Sequence, residues 1–413
     1  MNIKIDSLIY NKHTGIVKAL YQTKNDSLEK YITIKSKVTN SKYFHINYPI
    51  DYIASGSSLS YERSVLSSIG EAIERYCCNI IEDMGLEASI LSLKSEGKKY
   101  LDPRKVVNYK RYQYDEPNFP FKEFTDTSKT YWINSTDINT NETILVPLNL
   151  VYVNYLFYNE DIKYNFPNVA GVSAGDGIEM AIQSAVTEVI ERDASVRWWY
   201  TKELDGFLIE KEHVNEHLIF CSYLIKSVVP TVATFLFDNK NNTVNVGFAC
   251  RFDIESAIEK SKAESAQLRQ NALLLLNDVD ISDEDRAYKL LKPNRPDRKY
   301  MDSYKRNYRD LYDLIHNTQI YLDPRMKEKV DHYQCGEIKK VDFDFPSSIP
   351  DLMKHFRDIG QQVLITDITT KDVKTTNLRV VRAILPGYIL NAPTPYLPLD
   401  ESVLFDIPPI PHS

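Results

Sequence analysis

Three stretches of the chain repeat apolar residues at steps of three and four. Over residues 61–80, Val65, Ile69, Ala72, Ile73, Tyr76 and Ile80 fall on one helical face. Over 177–200, Ile178, Ala181, Ile182, Ala185, Val189 and Ile190 form a second stripe, with Asp176 and Glu179 as a D-x-x-E capping box at its start. A third helix is predicted over 255–276. Around them the pattern changes to short β-branched or aromatic runs at 3–9, 15–21, 31–34, 231–237, 244–250, 363–366 and 379–385, which predict strands. The interleaving predicts an α+β fold of mixed β-sheets with packed helices.

No composition break divides the chain, so residues 1–413 read as a single domain. Within it, 1–50 is an N-terminal strand region. The stretch 277–340, rich in Asp, Lys, Arg and Tyr with Pro293, Pro296 and Pro324, is expected as a peripheral insertion. Residues 393–413 are proline-dense and predict an extended tail. Apolar residues at 43% and charged residues at 26% exclude a disordered, collagen-like or coiled-coil chain. A net charge of −7 argues against coating nucleic acid or an anionic membrane. The apolar run 272–276 is far short of the about 20 residues of a membrane span, and the N-terminus lacks a secretion-signal layout, so a cytoplasmic protein is expected. Five cysteines without a C-x-x-C provide neither a disulfide framework nor a zinc ribbon, and are expected as buried thiols.

The three helical stretches carry nearly one signature: Glu71-x-x-Glu74-Arg75, Glu188-x-x-Glu191-Arg192 and Glu264-x-x-Gln267-x-Arg269. Residues i and i+3 share a helix face, and the apolar stripe anchors that helix in the core. If the helices pack together, four or five carboxylates meet in one cleft and repel unless cations sit among them. Oxygen-only ligands suit Mg²⁺ with nucleotide phosphates, and Arg75, Arg192 and Arg269 would then face phosphate oxygens. The competing reading is i to i+4 Glu–Arg pairs on solvated faces, each worth about 0.2–0.5 kcal/mol. The small residues at 170–177 precede a helix N-terminus able to take an anion, or form only a turn and cap. No P-loop, G-x-G-x-x-G or H-E-x-x-H motif is present, so a nucleotide site must be built differently. His213 and His217 are expected on a surface helix, and Trp198 and Trp199 are expected to close the second helix onto the core.

Residues 67–76, Ser173-Ala174-Gly175-Asp176 leading to 188–194, and 263–269 together resemble the YcaO family, as do the strands at 364–369 and 379–387. The resemblance implies a YcaO-like fold with a non-P-loop ATP site. It implies that Glu71, Glu74, Glu188 and Glu191 hold Mg²⁺, while Ser173, Asp176, Arg192, Glu264 and Gln267 contact ATP. Gly56-Ser57-Ser58 lacks a lysine common in the family, Asp176 stands where Asn is frequent, and Met180 stands where a carboxylate is often seen. The implied activity is ATP-dependent activation of peptide amides, with Cys, Ser or Thr cyclodehydrated to azolines. Thioamide or amidine formation, or an accessory nucleotide-binding role in ribosomal-protein modification, are the alternatives. The ending Pro409-Ile410-Pro411-His412-Ser413 is similar to the proline-alternating tails of azoline-forming members, which places Pro409, Pro411 and Ser413 near the substrate. Implied partners are a precursor peptide and a separate leader-binding protein resembling ubiquitin-activating enzymes. A homodimer is expected by the same likeness, and the general base is left unassigned.

Overall fold

The computed structural model of the protein describes residues 6–23, 28–39, 53–153, 163–277, 290–404 and 407–412. Among these, thirteen strands form three antiparallel sheets. The first joins β1 (Val17–Thr23), β2 (Ile32–Val38) and β3 (Ile53–Ser58) in that order. The second runs β4 (Leu86–Ala88), β5 (Thr130–Asp137), β12 (Leu364–Asp367), β13 (Leu378–Ile384), β7 (Val172–Asp176), with β6 (Glu142–Pro147) paired to β5 off this path. The third is a meander of β8 (Gly206–His213), β9 (Leu218–Ile225), β10 (Thr231–Asp238) and β11 (Thr243–Cys250). Its strands β9, β10 and β11 pair in unbroken register, from Thr231 opposite Cys250 to Asp238 opposite Thr243, and from Thr231 opposite Ile225 to Asp238 opposite Leu218.

Each sheet has a helix laid on it. Helix α1 (Tyr61–Cys77), capped by the Ser60 side chain, packs on β2 and β3 and buries Val65, Ile69, Ala72 and Ile73. Helix α2 (Ile178–Val196) packs on β7 and β13 and buries Ala181, Ala185, Val189 and Ile190. Helix α3 (Ile254–Leu276), capped by Asp253, packs on β10 and β11. The predicted apolar stripes are therefore the faces that dock on the sheets. Helix α4 (Ile349–Asp358) adds Leu352, Met353 and Phe356 to the core under α2. A second core forms on the other side of the meander, where Trp198 and Trp199 close the end of α2 against Phe235, Tyr321 and Ile410. No helix among the described residues is long and apolar enough to cross a membrane.

Several expectations need correction. Asp176 is the last residue of β7, and the cap of α2 is Gly177 at φ 90°, with no side-chain cap bond. The left-handed backbone there suits glycine and leaves the Asp176 side chain outside the capping geometry. His213 ends β8 and His217 lies in the turn before β9, so their segment is a hairpin and not a helix. Of the run expected as a strand at 3–9, the described residues 6–9 include no strand. The segment expected at the periphery, 277–340, instead contributes Leu311, Ile320, Tyr321 and Met326, each essentially inaccessible, to the second core. Cys335 is exposed, while Cys77, Cys78, Cys221 and Cys250 are buried thiols.

A carboxylate cluster where three sheet edges meet

The strands β3, β7 and β11 each lie at the end of a sheet order, so each carries N–H groups with no strand partner. A buried N–H without a partner is expensive, and here the helix glutamates satisfy it. Glu71 accepts from Ser55 N on β3 (2.7 Å). Glu74 accepts from Ala174 N on β7 (2.7 Å) and from the Ser173 hydroxyl (3.2 Å). Glu188 accepts from Gly171 N just before β7 (3.0 Å). On β11, alternate N–H groups are taken in turn: Val246 by the Pro411 carbonyl (2.8 Å), Phe248 by Glu264 (2.6 Å) and Cys250 by Glu191 (3.0 Å). Gln267 donates to the Ser55 hydroxyl (2.7 Å), tying α3 back to β3.

The same strand–helix unit thus occurs three times, β3–α1, β7–α2 and β11–α3. Each strand holds a glycine, Gly56, Gly175 or Gly247, where a Cβ would come within 2.4, 2.3 or 2.2 Å of the following helix backbone. Those glycines permit the close approach that brings each E-x-x-E/Q pair to a sheet edge. They stand 13 to 17 residues before the first glutamate of each pair, the signal by which sequence alone could have found the unit.

The free oxygens of the cluster face arginines. Arg75 contacts Glu71 (2.6 Å), and Arg192 reaches Glu191 (3.3 Å) and Glu188 (3.8 Å). Arg75 and Arg192 touch these carboxylates, while Arg251, Arg382 and Lys260 act on them from farther off. Burial, then the Glu188 charge, push the Glu74 carboxyl up to about 8. Burial pushes Glu188 up to about 7 against the pull of Arg192, and burial also raises Glu191. Glu264 moves the other way: burial raises it, but the His412 hydrogen bond and the charges of His412 and Arg192 outweigh burial and hold it ionised.

Neither reading of the Glu–Arg spacing is complete by itself. The i to i+4 contacts form on half-buried helix faces, and the glutamates are near enough to feel one another's charge. Among the described residues no three His, Cys, Asp or Glu side chains surround one point in the manner of a ready-made metal site. The donor set nevertheless fits Mg²⁺: the ligands are hard oxygens, and burial together with the neighbouring carboxylates pushes two of the carboxyls toward protonation, an effect that a cation would oppose. Glu71, Glu74, Glu188 and Glu191 would hold the ions, and Arg75 and Arg192 occupy the oxygens a cation would take.

One expected nucleotide contact, Arg269, is engaged with another partner. Arg269 is buried in an ion pair with Asp238 of β10 (2.7 Å), away from the glutamates on α1 and α2, because a guanidinium sealed under the meander needs a carboxylate partner. Asp238→Ala, which removes the carboxylate facing that buried guanidinium, is expected to destabilise the fold by about 3–5 kcal/mol. Denaturant melts check this, and an unchanged midpoint would contradict it. Asp176 ends β7 as an exposed side chain.

The residue that sequence reasoning missed is His412. It sits between Glu264 Oε1 (3.4 Å) and Arg192 (3.3 Å), its ring edge-on to Phe248. The tail is held in this place by side chains that bond its carbonyls: Trp199 Nε1 donates to the Pro408 carbonyl (2.7 Å), the Tyr321 hydroxyl to the Pro409 carbonyl (2.7 Å) and the Asn317 amide to the His412 carbonyl (3.1 Å). Pro409 and Pro411 are thereby fixed beside the cluster, and Ser413 lies outside the described residues.

The raised carboxyls have a consequence for stability. A carboxyl whose native pKa lies above its unfolded value contributes stability that is fully present below about pH 4.5 and is lost as pH rises through about 7 to 8. The ligand-free melting temperature is therefore expected to fall between pH 6 and 8.5, and Mg²⁺ with ATP to restore most of the loss. A midpoint that is flat over this range, with and without Mg²⁺, would contradict the cluster's electrostatics.

Comparison with curated proteins returns no match. Among solved structures, a heterocyclase in complex with substrate and cofactor aligns at TM-score 0.68 with 17% identity, covering 96% of this chain and 55% of that one. This chain thus spans about half the length of that heterocyclase. YcaO from Methanopyrus kandleri, bound with AMPPCP and Mg²⁺, aligns at TM-score 0.59 and 17% identity over 96% of this chain and 90% of its own. The E. coli microcin synthetase McbBCD complex contains a chain that aligns at 0.56 and 13% identity over 90% and 88%. The family model described as YcaO cyclodehydratase, ATP- and Mg²⁺-binding, matches residues 55–389, a span that runs from the first residue of the Ser55–Glu71 contact to the end of the closing strands: the chain belongs to the YcaO cyclodehydratase family.

Proposed function

We propose that the protein uses ATP and Mg²⁺ to activate backbone amides of a ribosomally made peptide, so that a Cys, Ser or Thr side chain closes on the preceding carbonyl carbon to give an azoline. The observation that carries this reading is the convergence of Glu71, Glu74, Glu188, Glu191 and Glu264 on three sheet edges beside Arg192 and the anchored tail.

An amide oxygen is a poor leaving group, and ATP supplies the phosphoryl group with which it departs as phosphate. In balance, the side-chain sulfur or oxygen gives up its proton and bonds to the carbonyl carbon, the amide nitrogen gives up its proton as C=N forms, and the C–O bond breaks so that the oxygen leaves in phosphate; ATP becomes ADP and phosphate, and the peptide is lighter by one water. No nucleophile of the protein enters this balance. The protein's own part is electrostatic and positional. The four glutamates of α1 and α2 would hold the metal, and Ser173 and Gln267, both already turned to the cluster, would hold the nucleotide beside it. Arg192, freed from Glu188 and Glu191 when cations take those oxygens, would meet the phosphate charge. The tail closes the site from the β11 side.

The likeness to a chain of the microcin synthetase complex supports a partner, read here as a leader-binding protein resembling ubiquitin-activating enzymes. The test is to supply precursor peptide, partner, ATP and Mg²⁺ and weigh the peptide. Loss of one water per ring is expected; ATP hydrolysis with no mass change would overturn the reading, and exchange of oxygen for sulfur would identify thioamide formation instead.

A further inference from the structure

Arg382 lies on β13, between β12 and β7, and is 4% exposed. Its Nε donates to the Val151 carbonyl (3.1 Å), and its two terminal nitrogens donate to the carbonyls of Ala170 (2.5 Å) and Asn168. A buried guanidinium ordinarily takes a carboxylate partner. Among the described residues none bonds to this one, and the carboxylate whose charge acts on it from a distance is Glu188. The two are joined through one peptide unit. The Ala170 carbonyl accepts from Arg382, and the N–H of the same unit, that of Gly171, donates to Glu188 Oε2 (3.0 Å). In a planar trans peptide the C=O and N–H point in opposite directions, so the amide dipole has its oxygen on the cation and its hydrogen on the carboxylate. Linked hydrogen bonds polarise one another, which makes this N–H a stronger donor than a lone amide. The unit is also fixed in place. Asn168 Oδ1 accepts from Ala170 N (2.8 Å), and Ala383 N donates to the Gly171 carbonyl (2.7 Å). Gly171 stands at φ 86°, and a Cβ there would come within 2.8 Å of Ala383 O and of Val189 Cγ2. Burial raises the Glu188 carboxyl, while Arg192, the Gly171 bond and the Arg382 charge pull it back.

We propose that Arg382 is a positioning residue for the metal-holding cluster: through the Ala170–Gly171 peptide it sets the N–H that holds Glu188 Oε2, and so keeps Glu188 Oε1 turned to the ion. The inference rests on the magnesium-holding reading above and extends it to a residue that lies behind the carboxylate. A guanidinium suits this place because its fork spans carbonyls of two separate segments, at 151 and at 168–170, while carrying its charge to the far end of the amide.

The test is a calorimetric titration of Mg²⁺ into the full chain with AMPPCP, for the wild type, Arg382→Met, Arg382→Lys, Glu188→Gln and both double variants. Arg382→Met is expected to weaken Mg²⁺ binding about 10–100-fold, as loss of the partner behind a metal ligand does, and Arg382→Lys, which keeps the charge and a donor, to recover part of that loss. With Glu188→Gln already in place, the same substitutions are expected to cost no more than about twofold, because the carboxylate they act through is gone. Equal losses in both backgrounds, or a lysine variant as weak as the methionine one, overturn the positioning role. If Arg382→Met does not fold, Arg382→Lys carries the comparison: a loss that vanishes in the Glu188→Gln background is expected, and a loss that persists there, or no loss, overturns the role. Failure of both variants to fold, read by thermal melts, makes the residue structural only and overturns it as well. Failure of the wild-type chain to bind Mg²⁺ with AMPPCP is a separate result that overturns the functional reading from which the inference starts.

Discussion

Glu191→Gln is expected to lower Mg²⁺-dependent ATP turnover with peptide by about 100-fold or more while leaving the protein folded, read by phosphate release beside a thermal melt. The substitution keeps the shape and the acceptor that Cys250 N requires, so β11 stays docked. It removes one of the charges that burial already penalises, so the melting temperature above pH 7 is expected to hold or rise. Activity and stability then move in opposite directions, which a merely structural glutamate would not do. A variant with wild-type turnover, or one that fails to fold, would count against a metal-holding role.

Removing the tail side chain has the second largest effect. In His412→Ala the Glu264 carboxyl loses the hydrogen bond and the charge that keep it below the ordinary carboxylate range, and burial then drives it upward. The acid limb of the rate–pH profile is expected to shift to higher pH, with kcat at pH 7 down about 10-fold or more. His412 acts here as a positioning residue, since it orders Glu264 and Arg192. The backbone bonds of Pro409 and Pro411 survive the substitution, so stability is expected to change by under about 1 kcal/mol. An unchanged pH profile would show that the tail only packs.

Much of this site was legible before the structure. The 3.6-residue stripes of α1, α2 and α3 are strong because each helix buries one face on a sheet, and the paired glutamates follow from that phase. What the chain hid has physical causes. Strands β9, β10 and β11 are buried on both faces, so they lack the alternation that marks a half-buried strand, and β9 passed unnoticed. Arg269 shares the helical phase of the motif, but its partner Asp238 is 31 residues earlier, a pairing that spacing on one helix cannot express. His412 becomes informative only when the tail crosses back over β11. The capping reading of Asp176 failed on one backbone angle, at Gly177.

The same three-way arrangement explains why the cluster is tolerated in the ligand-free protein. Each carboxylate has one oxygen on a strand N–H that would otherwise be unpaired, so the folded chain needs the glutamates even before any cation binds. Function and fold thus draw on opposite oxygens of the same side chains.

The most direct measurement is a crystal structure of the protein with AMPPCP and Mg²⁺. The account predicts ions at about 2.1 Å from carboxylate oxygens of Glu71, Glu74, Glu188 and Glu191, with Arg75 and Arg192 turned from those oxygens toward the phosphates. A nucleotide bound elsewhere, with Glu71, Glu188 and Glu191 still held by their arginines and Glu74 by Ala174 N, would contradict it.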